Sequence, residues 1–347
     1  MKTKFFWTAF IALALVATLG WTKGAAMSTS PTARGYHQMT YDTESERVIL
    51  YGGQTGNFFQ DPTHLSHETW SFDPDSNVWT QMSPASSPGG SSGGDMTYDS
   101  KADRSILSVI SDDFSALETW AYDANADIWT RLADGPRNMV GQRIVYDSES
   151  DRIITFGGFD FSTFKPVDET WAYDYDTDTW TNMQPRVHPT GRNFQGMVYD
   201  SKADRIVMWG GAGVRIALQG PDKPAVWTYD YNTNIWQQLE SAKNDPAVRY
   251  YINLAYDAKA DKIIMYGGYD YGNDETWLYD LTTNTWQQMQ PINNPGIISR
   301  YGMVYVKDIN RTILFGGQDG SIHFQYKGDT WSYNLKADRW NNITPGN

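Results

Sequence analysis

The residues of this chain that could do chemistry fall into three small sets. Five histidines are present, and only His64 and His67 stand near acids, three apart and beside Asp61 and Glu68. That grouping is too loose for the ligand spacing of a metal site. Arginines form the second set: Arg34, Arg192 and Arg249 each stand seven residues before a tyrosine (Tyr41, Tyr199 and Tyr256), with Arg137 and Arg300 slightly out of that register. Carboxylates form the third: Asp160, Asp270 and Asp319 each stand two residues past a Gly-Gly pair, and Asp112 aligns with them. Guanidiniums and carboxylates among aromatics such as Phe161 and Tyr271 suit the grip of a polar ligand, a sugar or an acidic peptide, by bidentate hydrogen bonds. No catalytic residue, metal site or cofactor is expected. Cysteine is absent, which removes zinc-thiolate sites, iron–sulfur clusters, thiol nucleophiles and disulfides. Neither a glycine-rich phosphate loop nor a nucleophile-bearing turn occurs.

The elements that must position these groups repeat. A tyrosine opens each unit at Tyr41, Tyr98, Tyr146, Tyr199, Tyr256 and Tyr305, and a base follows six residues later at Arg47, Arg104, Arg152, Arg205, Lys262 and Arg311. An apolar run then ends in Gly-Gly in every unit but the second, which has Val109-Ile110. Two tryptophans nine apart close each unit: Trp70/Trp79, Trp120/Trp129, Trp171/Trp180, Trp227/Trp236, Trp277/Trp286 and Trp331/Trp340. In the first unit, strand a ends at Tyr41, a turn through Asp42–Ser45 follows, and strand b is the non-alternating Val48-Ile49-Leu50 run expected of a strand buried on both faces. Strand c carries Trp70 and Phe72 on one face, and strand d places Trp79 opposite Phe72. Four antiparallel strands repeated six times, with aromatics between neighbouring sheets, predict an all-β, six-bladed β-propeller over residues 31–344. No strand is left over to interlock the first and last blades.

Gly-Gly after an apolar strand, then Glu-Thr-Trp-x-Tyr-Asp, then a second Trp nine residues on, resembles the kelch repeat. The resemblance covers nearly the whole chain after the N-terminal segment. It implies a propeller whose ligand-binding face surrounds the central channel, with arginines such as Arg34, Arg192 and Arg249 lining the mouth. The same fold hosts enzymes and adaptors. The copper-radical sugar oxidases of this fold need a Tyr–Cys crosslink, which a chain without cysteine cannot form.

Features present in every blade read as scaffold. By that rule the paired tryptophans pack blades together, and each Asp after the repeat tyrosine pairs with the downstream base across a turn. Function is expected where the units differ. The b–c and d–a loops share one face of the disc and are long and irregular, as at Gln54–His67, Phe159–Asp168, Ala212–Ala225 and Gln318–Gly328. Variable loops on a rigid scaffold are where binding concentrates. Blade 4 adds a basic and apolar loop tip around Arg215, while the missing Gly-Gly of blade 2 reads as drift of the repeat.

Composition sets the outer bounds. Among 347 residues, 28 Lys and Arg face 41 Asp and Glu, a formal charge of −13 that repels nucleic-acid phosphates. Lys2 and Lys4, an apolar run from Phe5 to Gly20 and small residues at Gly24 and Ala26 form a signal peptide over residues 1–26. The alternative is an uncleaved membrane anchor over Phe5–Trp21, and either way the propeller is exported. The expected function is a non-catalytic binding module for a protein or glycan partner. A sugar-acting isomerase at the mouth, or an anchored structural subunit, are the alternatives.

Overall fold

The computed structural model describes residues 30–346 apart from 57–63, 91, 214–224, 241–243, 270–272 and 321–324. The expected export segment 1–26, together with Arg215, Asp270 and Tyr271, lies outside the described residues. Within them stand six four-stranded antiparallel sheets, each in the order a-b-c-d. Blade 1 comprises Gln38–Asp42, Arg47–Tyr51, Thr69–Asp73 and Val78–Gln81. The other five occupy 95–131, 143–182, 196–238, 254–288 and 302–342. Each innermost strand a packs beside that of the next blade, and the sixth packs beside the first, so the sheets form a closed propeller.

The repeat residues explain each blade. Tyr41 pairs with Val48 and Asp42 with Arg47 across the a–b hairpin. Asp42 Oδ1 accepts from the amides of Glu44 and Ser45, a side-chain turn repeated at Asp99, Asp147, Asp200 and Asp257. The last turn residue takes a left-handed φ and is Asp103, Asp151, Asp204, Asp261 or Asn310 in blades 2 to 6. These residue types tolerate that conformation best after glycine. The same side chain accepts the repeat tyrosine's hydroxyl, as from Tyr98 to Asp103 at 2.8 Å and Tyr199 to Asp204 at 2.8 Å.

The downstream base does not pair with the strand-a aspartate, contrary to expectation. Arg47, Arg104, Arg152, Arg205 and Lys262 reach the aspartate ending strand c, at 3.2, 2.9, 2.8, 3.1 and 3.1 Å. The strand-a carboxylate is already spent on turn amides, so the base finds the next acid across the sheet.

Tryptophan packing follows the expected pattern and is directional. The second Trp of each blade leans on the strand-c aromatic of its own blade, with ring centroids 4.9 Å apart for Phe72–Trp79 and 4.8 Å for Tyr333–Trp340. Its other face meets the last aromatic of strand b in the preceding blade: Trp129 on Tyr51, Trp236 on Phe156, Trp286 on Trp209, Trp340 on Tyr266 and Trp79 on Phe315. Four of these indoles also donate to a strand-c threonine of that preceding blade, at 2.8–3.0 Å. Aromatic pairs of this kind add about 0.5–1.5 kcal/mol each beyond their buried area. Blade 2 has Ser108 where the others place an aromatic, and Trp180 of blade 3 is correspondingly less buried.

The ring closes without a shared strand. Trp79 of blade 1 packs on Phe315 of blade 6 in one apolar cluster with Val48, Leu50, Val306 and Ile313. Blade 1 carries Glu46 where other blades place a turn Asp or Asn, and the Tyr41 hydroxyl instead donates to Asp308 of blade 6. At the loop end of the axis, one residue per blade contributes to a circle of backbone hydrogen bonds. The amides of Gly93, Gly141, Phe194, Tyr251, Arg300 and Tyr36 each donate to the carbonyl of the member before, from Tyr36 round to Arg300, at 2.7–3.3 Å. All six have φ between 55° and 73°. A left-handed conformation costs an L-residue about 1–2 kcal/mol, so Gly93 and Gly141 are the relaxed members and the other four are strained. A Cβ on Gly141 would also meet the Phe194 ring at 2.7 Å. Gly141→Ala is therefore expected to cost about 1–2 kcal/mol or more of unfolding free energy in chemical denaturation; an unchanged midpoint would contradict the circle.

Candidate functional site

Arg34, Arg192 and Arg249 do not line an open mouth. Their side chains are buried, and each guanidinium turns back into its own blade. Nη1 donates to the carbonyl of the first glycine after strand b: Gly52 at 2.9 Å, Gly210 at 3.1 Å and Gly267 at 3.1 Å. Nε donates to Thr32, Thr190 or Ala247. Glu68 and Glu275 complete two of these units, each accepting from the arginine and from the first Trp of its blade. Blade 4 has Ala225 in place of that acid, and burial pushes the Arg192 guanidinium down to about 10. The physical reason is backbone accounting: a left-handed glycine turns its carbonyl away from the ladder, and a buried carbonyl needs a donor. In blade 3 Arg137, from a different register, instead reaches the carboxylates of Asp160 at 3.0 Å and Glu169 at 2.6 Å.

The carboxylates divide. Asp160 is buried and accepts from the Ser162 amide and hydroxyl at 2.7 and 2.6 Å and from Thr163 at 3.3 Å. Burial opposes its ionisation, but the Ser162 bonds, Arg137 and Thr163 outweigh it and hold the carboxyl at about 2. Asp319 accepts the Gln325 amide at 3.0 Å and stands 3.7 Å from Lys327. Asp112 pairs with His67 at 2.9 Å and raises the imidazole's pKa through that hydrogen bond. Among the described residues no group of three or more His, Asp or Glu is placed to hold a metal.

Of the expected set, Asp112 and Phe161 meet on one cavity. It encloses about 320 Å³ on the loop face and is walled by Tyr36, Ile110, Phe114, Phe161, Phe194 and Tyr251, with Gln54, Ser111 and Asn193 as polar points. Ile110 belongs to the stretch that replaces Gly-Gly in blade 2. There strand b runs Arg104–Ile110 and strand c Leu117–Asp123, seven residues each against five in blade 1. What reads as drift in the sequence thus extends a hairpin into the cavity wall. Phe114 and Phe161 stack edge-on at 5.1 Å, Phe159 adjoins Phe161 at 5.8 Å, and Phe164 stands 75 % exposed at the loop tip. Phe114 and Phe164 hold left-handed φ values of 59° and 52°, a strained placement for bulky side chains that often marks functional loops.

At the centre of the face, Tyr36, Phe194 and Tyr251 were missed by sequence reasoning, and Arg300 was expected only as an out-of-register arginine. Tyr36, Phe194, Tyr251 and Arg300 each stand five residues before a repeat tyrosine, in register with Gly93 and Gly141. Their rings gather on the axis, with Phe194 and Tyr251 centroids 4.1 Å apart. The Arg300 guanidinium lies 3.9 Å over Tyr251 and 5.1 Å from both Tyr36 and Tyr269. No carboxylate lies within ion-pair distance of Arg300 among the described residues. Counting back from each repeat tyrosine would have found the position, though not its role.

Residues 10–215 match the Attractin/LZTR1 beta-propeller family model, and residues 203–347 match the KLHDC2/KLHL20/DRC7 Kelch-repeats domain. The chain belongs to the kelch-repeat β-propellers. Mei4-dependent protein 6 of Schizosaccharomyces pombe is 23 % identical over 141 residues, 39 % of this chain and 20 % of that protein, so the match spans a fifth of the relative's length.

In this kelch propeller the buried arginines are structural, which fixes two outcomes. Arg34→Met leaves the Gly52 carbonyl without its donor and is expected to cost about 2–4 kcal/mol in chemical denaturation; a loss under 0.5 kcal/mol contradicts the bracing role. Asp160 has a folded pKa below the ordinary carboxylate value of about 3.9. Its contribution to loop order is therefore full above about pH 4 and is lost as pH falls through about 2. The Ser162 and Thr163 amide resonances should titrate with a midpoint near 2, and a midpoint near 4 contradicts the geometry.

Proposed function

We propose that the chain is a non-catalytic binding module that holds a protein partner through its loop face. Kelch propellers commonly mediate protein interaction, and the observation that carries the reading here is the aromatic cavity of about 320 Å³ whose wall includes the exposed Phe114 and the half-buried Phe161, with the exposed Phe164 at the neighbouring loop tip. Exposed apolar patches rimmed by polar groups are the usual mark of such a surface. A partner's aromatic or aliphatic side chain fills the cavity as a buried anchor. Arg300 supplies an adjacent cation, so the anchor is flanked by an acidic group, which replaces the expected grip by Arg34, Arg192 and Arg249.

Peptides selected from a random displayed library on the immobilised chain test this. They should be enriched in an aromatic or large aliphatic residue next to Asp or Glu. Phe114→Ala with Phe161→Ala should weaken them at least tenfold, while Lys101→Ala on the opposite face leaves their affinity unchanged. Peptides that bind the double variant as well as the parent contradict the assignment.

A further inference from the structure

Each junction between neighbouring blades is built from four positions in register. One blade supplies the last residue of strand b and a strand-c threonine, and the next supplies the fourth residue of its strand b and its second tryptophan. Between blades 6 and 1 these are Phe315, Thr330, Leu50 and Trp79: Phe315, Leu50 and Trp79 share one apolar cluster, and Trp79 donates to Thr330 at 2.9 Å. Four further junctions repeat the aromatic, the aliphatic or methionine side chain and the buried indole, as with Phe156, Met208 and Trp236 between blades 3 and 4. Between blades 2 and 3 the same positions hold Ser108, Thr119, Thr155 and Trp180. The threonine and the tryptophan are both present there, yet they do not bond. Thr119 Oγ1 and Trp180 Nε1 are buried and have no hydrogen-bond partner among the described residues.

The whole layer is polar. Thr155 Oγ1 is likewise buried without a partner among the described residues, and so is Oε1 of Gln142, whose Nε2 lies 3.3 Å from both the carbonyl and the hydroxyl of Ser108. On the blade 2 face this layer falls between two apolar ones. The rungs Ile106–Ala121, Ser108–Thr119 and Ile110–Leu117 follow one another along the b–c ladder, on one face of the sheet. Ile106 and Ala121 pack with Ile144 and Ile153 of blade 3, while Leu117 packs with Met139 and Val167 in a separate cluster. Trp180 is half-buried, whereas its five counterparts are 0–4 % exposed. Exchanging an aromatic for Ser108 and an aliphatic for Thr155 takes away the side chains that cover this indole elsewhere. Buried polar atoms in native proteins are almost always satisfied, by protein or by ordered water. The atoms here are an indole N–H that only donates, an amide oxygen that only accepts and two hydroxyls that do both. A guest that serves them must be small and must itself donate and accept.

We propose that the seam between blades 2 and 3 is a buried binding site for water, which stands in for the missing aromatic ring. The bound water accepts from Trp180 Nε1, donates to Gln142 Oε1 and bridges the hydroxyls of Thr119 and Thr155, the two to four polar partners that a buried water takes. An apolar guest would leave the same groups unpaired. This site is separate from the loop-face cavity and stands whether or not that surface binds a partner.

Ser108→Phe, which restores the side chain that blades 3 and 6 carry as Phe156 and Phe315, tests it. The ring should displace the water and raise the folded-to-unfolded ratio about tenfold or more in chemical denaturation. Adding Thr155→Leu should raise that ratio further. A crystal structure of the unsubstituted chain should show ordered water within hydrogen-bond distance of at least two of Thr119 Oγ1, Gln142 Oε1, Thr155 Oγ1 and Trp180 Nε1, and the Ser108→Phe variant should show none there. A Ser108→Phe variant that folds but is no more stable than the parent overturns the proposal, because the blades would already have closed the gap. A dry layer in the unsubstituted chain, with Trp180 bonded directly to Thr119, overturns it as well. If Ser108→Phe does not fold, the water positions in the unsubstituted chain decide the matter alone.

Discussion

Six peptide groups, one from each blade, donate head to tail in a closed circle at the loop end of the axis, and the remaining features of the disc are arranged around that constraint. To face one another tangentially, all six residues must adopt left-handed backbone. Two are glycine; the other four accept strain that single residues escape unless surroundings over-determine them. The surroundings here are one another: Phe194 stacks on Tyr251, Tyr36 meets Tyr251 edge-on at 5.6 Å, and Arg300 covers Tyr251. The junction of blades 1 and 6 is one link among six, made at 2.9 Å between the Tyr36 amide and the Arg300 carbonyl. Together with Tyr41–Asp308 and Trp79–Phe315, it closes the propeller without an exchanged strand.

The same circle partitions the axis. On its loop side the strained aromatics form the floor of a hydrophobic cavity whose wall blade 2 extends. On its turn side Arg143 reaches across the inner end of a cavity of about 360 Å³ lined by the six strands a, donating to the carbonyls of Gln195 and Ile252. A propeller's central channel is often treated as one passage; here it is two compartments back to back, with different chemistry and opposite openings. Between them lie the layer of backbone hydrogen bonds, the aromatic side chains on its loop side and the Arg143 side chain on its turn side.

The fold was legible because its determinants recur by identity. Tyrosine and the tryptophan pair stand in all six units and the turn aspartate in five, each at a fixed place, so the repeats declare six blades. The site was harder to read for two physical reasons. Arg34, Arg192 and Arg249 occur in three blades only, and partial recurrence looks like specialisation. Yet each donates to a buried glycine carbonyl of its own blade, whereas Arg137 of blade 3 reaches carboxylates instead and blade 2 lacks the Gly-Gly altogether. The position five before each tyrosine has the reverse character. It holds Tyr, Gly, Gly, Phe, Tyr and Arg, which share nothing as side chains and everything as backbone conformation. Side-chain pattern alone cannot reveal a backbone requirement, and Val109-Ile110 likewise looks like loss until its strand is seen to run on into a cavity wall.

The central claim is that the circle is a single cooperative closure separating two compartments. Amide hydrogen exchange at Tyr36, Gly93, Gly141, Phe194, Tyr251 and Arg300 tests it most directly. If the circle is intact, all six amides exchange only through global unfolding, with one shared protection free energy that falls together in denaturant. Fast, independent exchange at Tyr36 and Arg300, with protection kept at the other four, would mean that blades 1 and 6 part at the axis and would contradict the account.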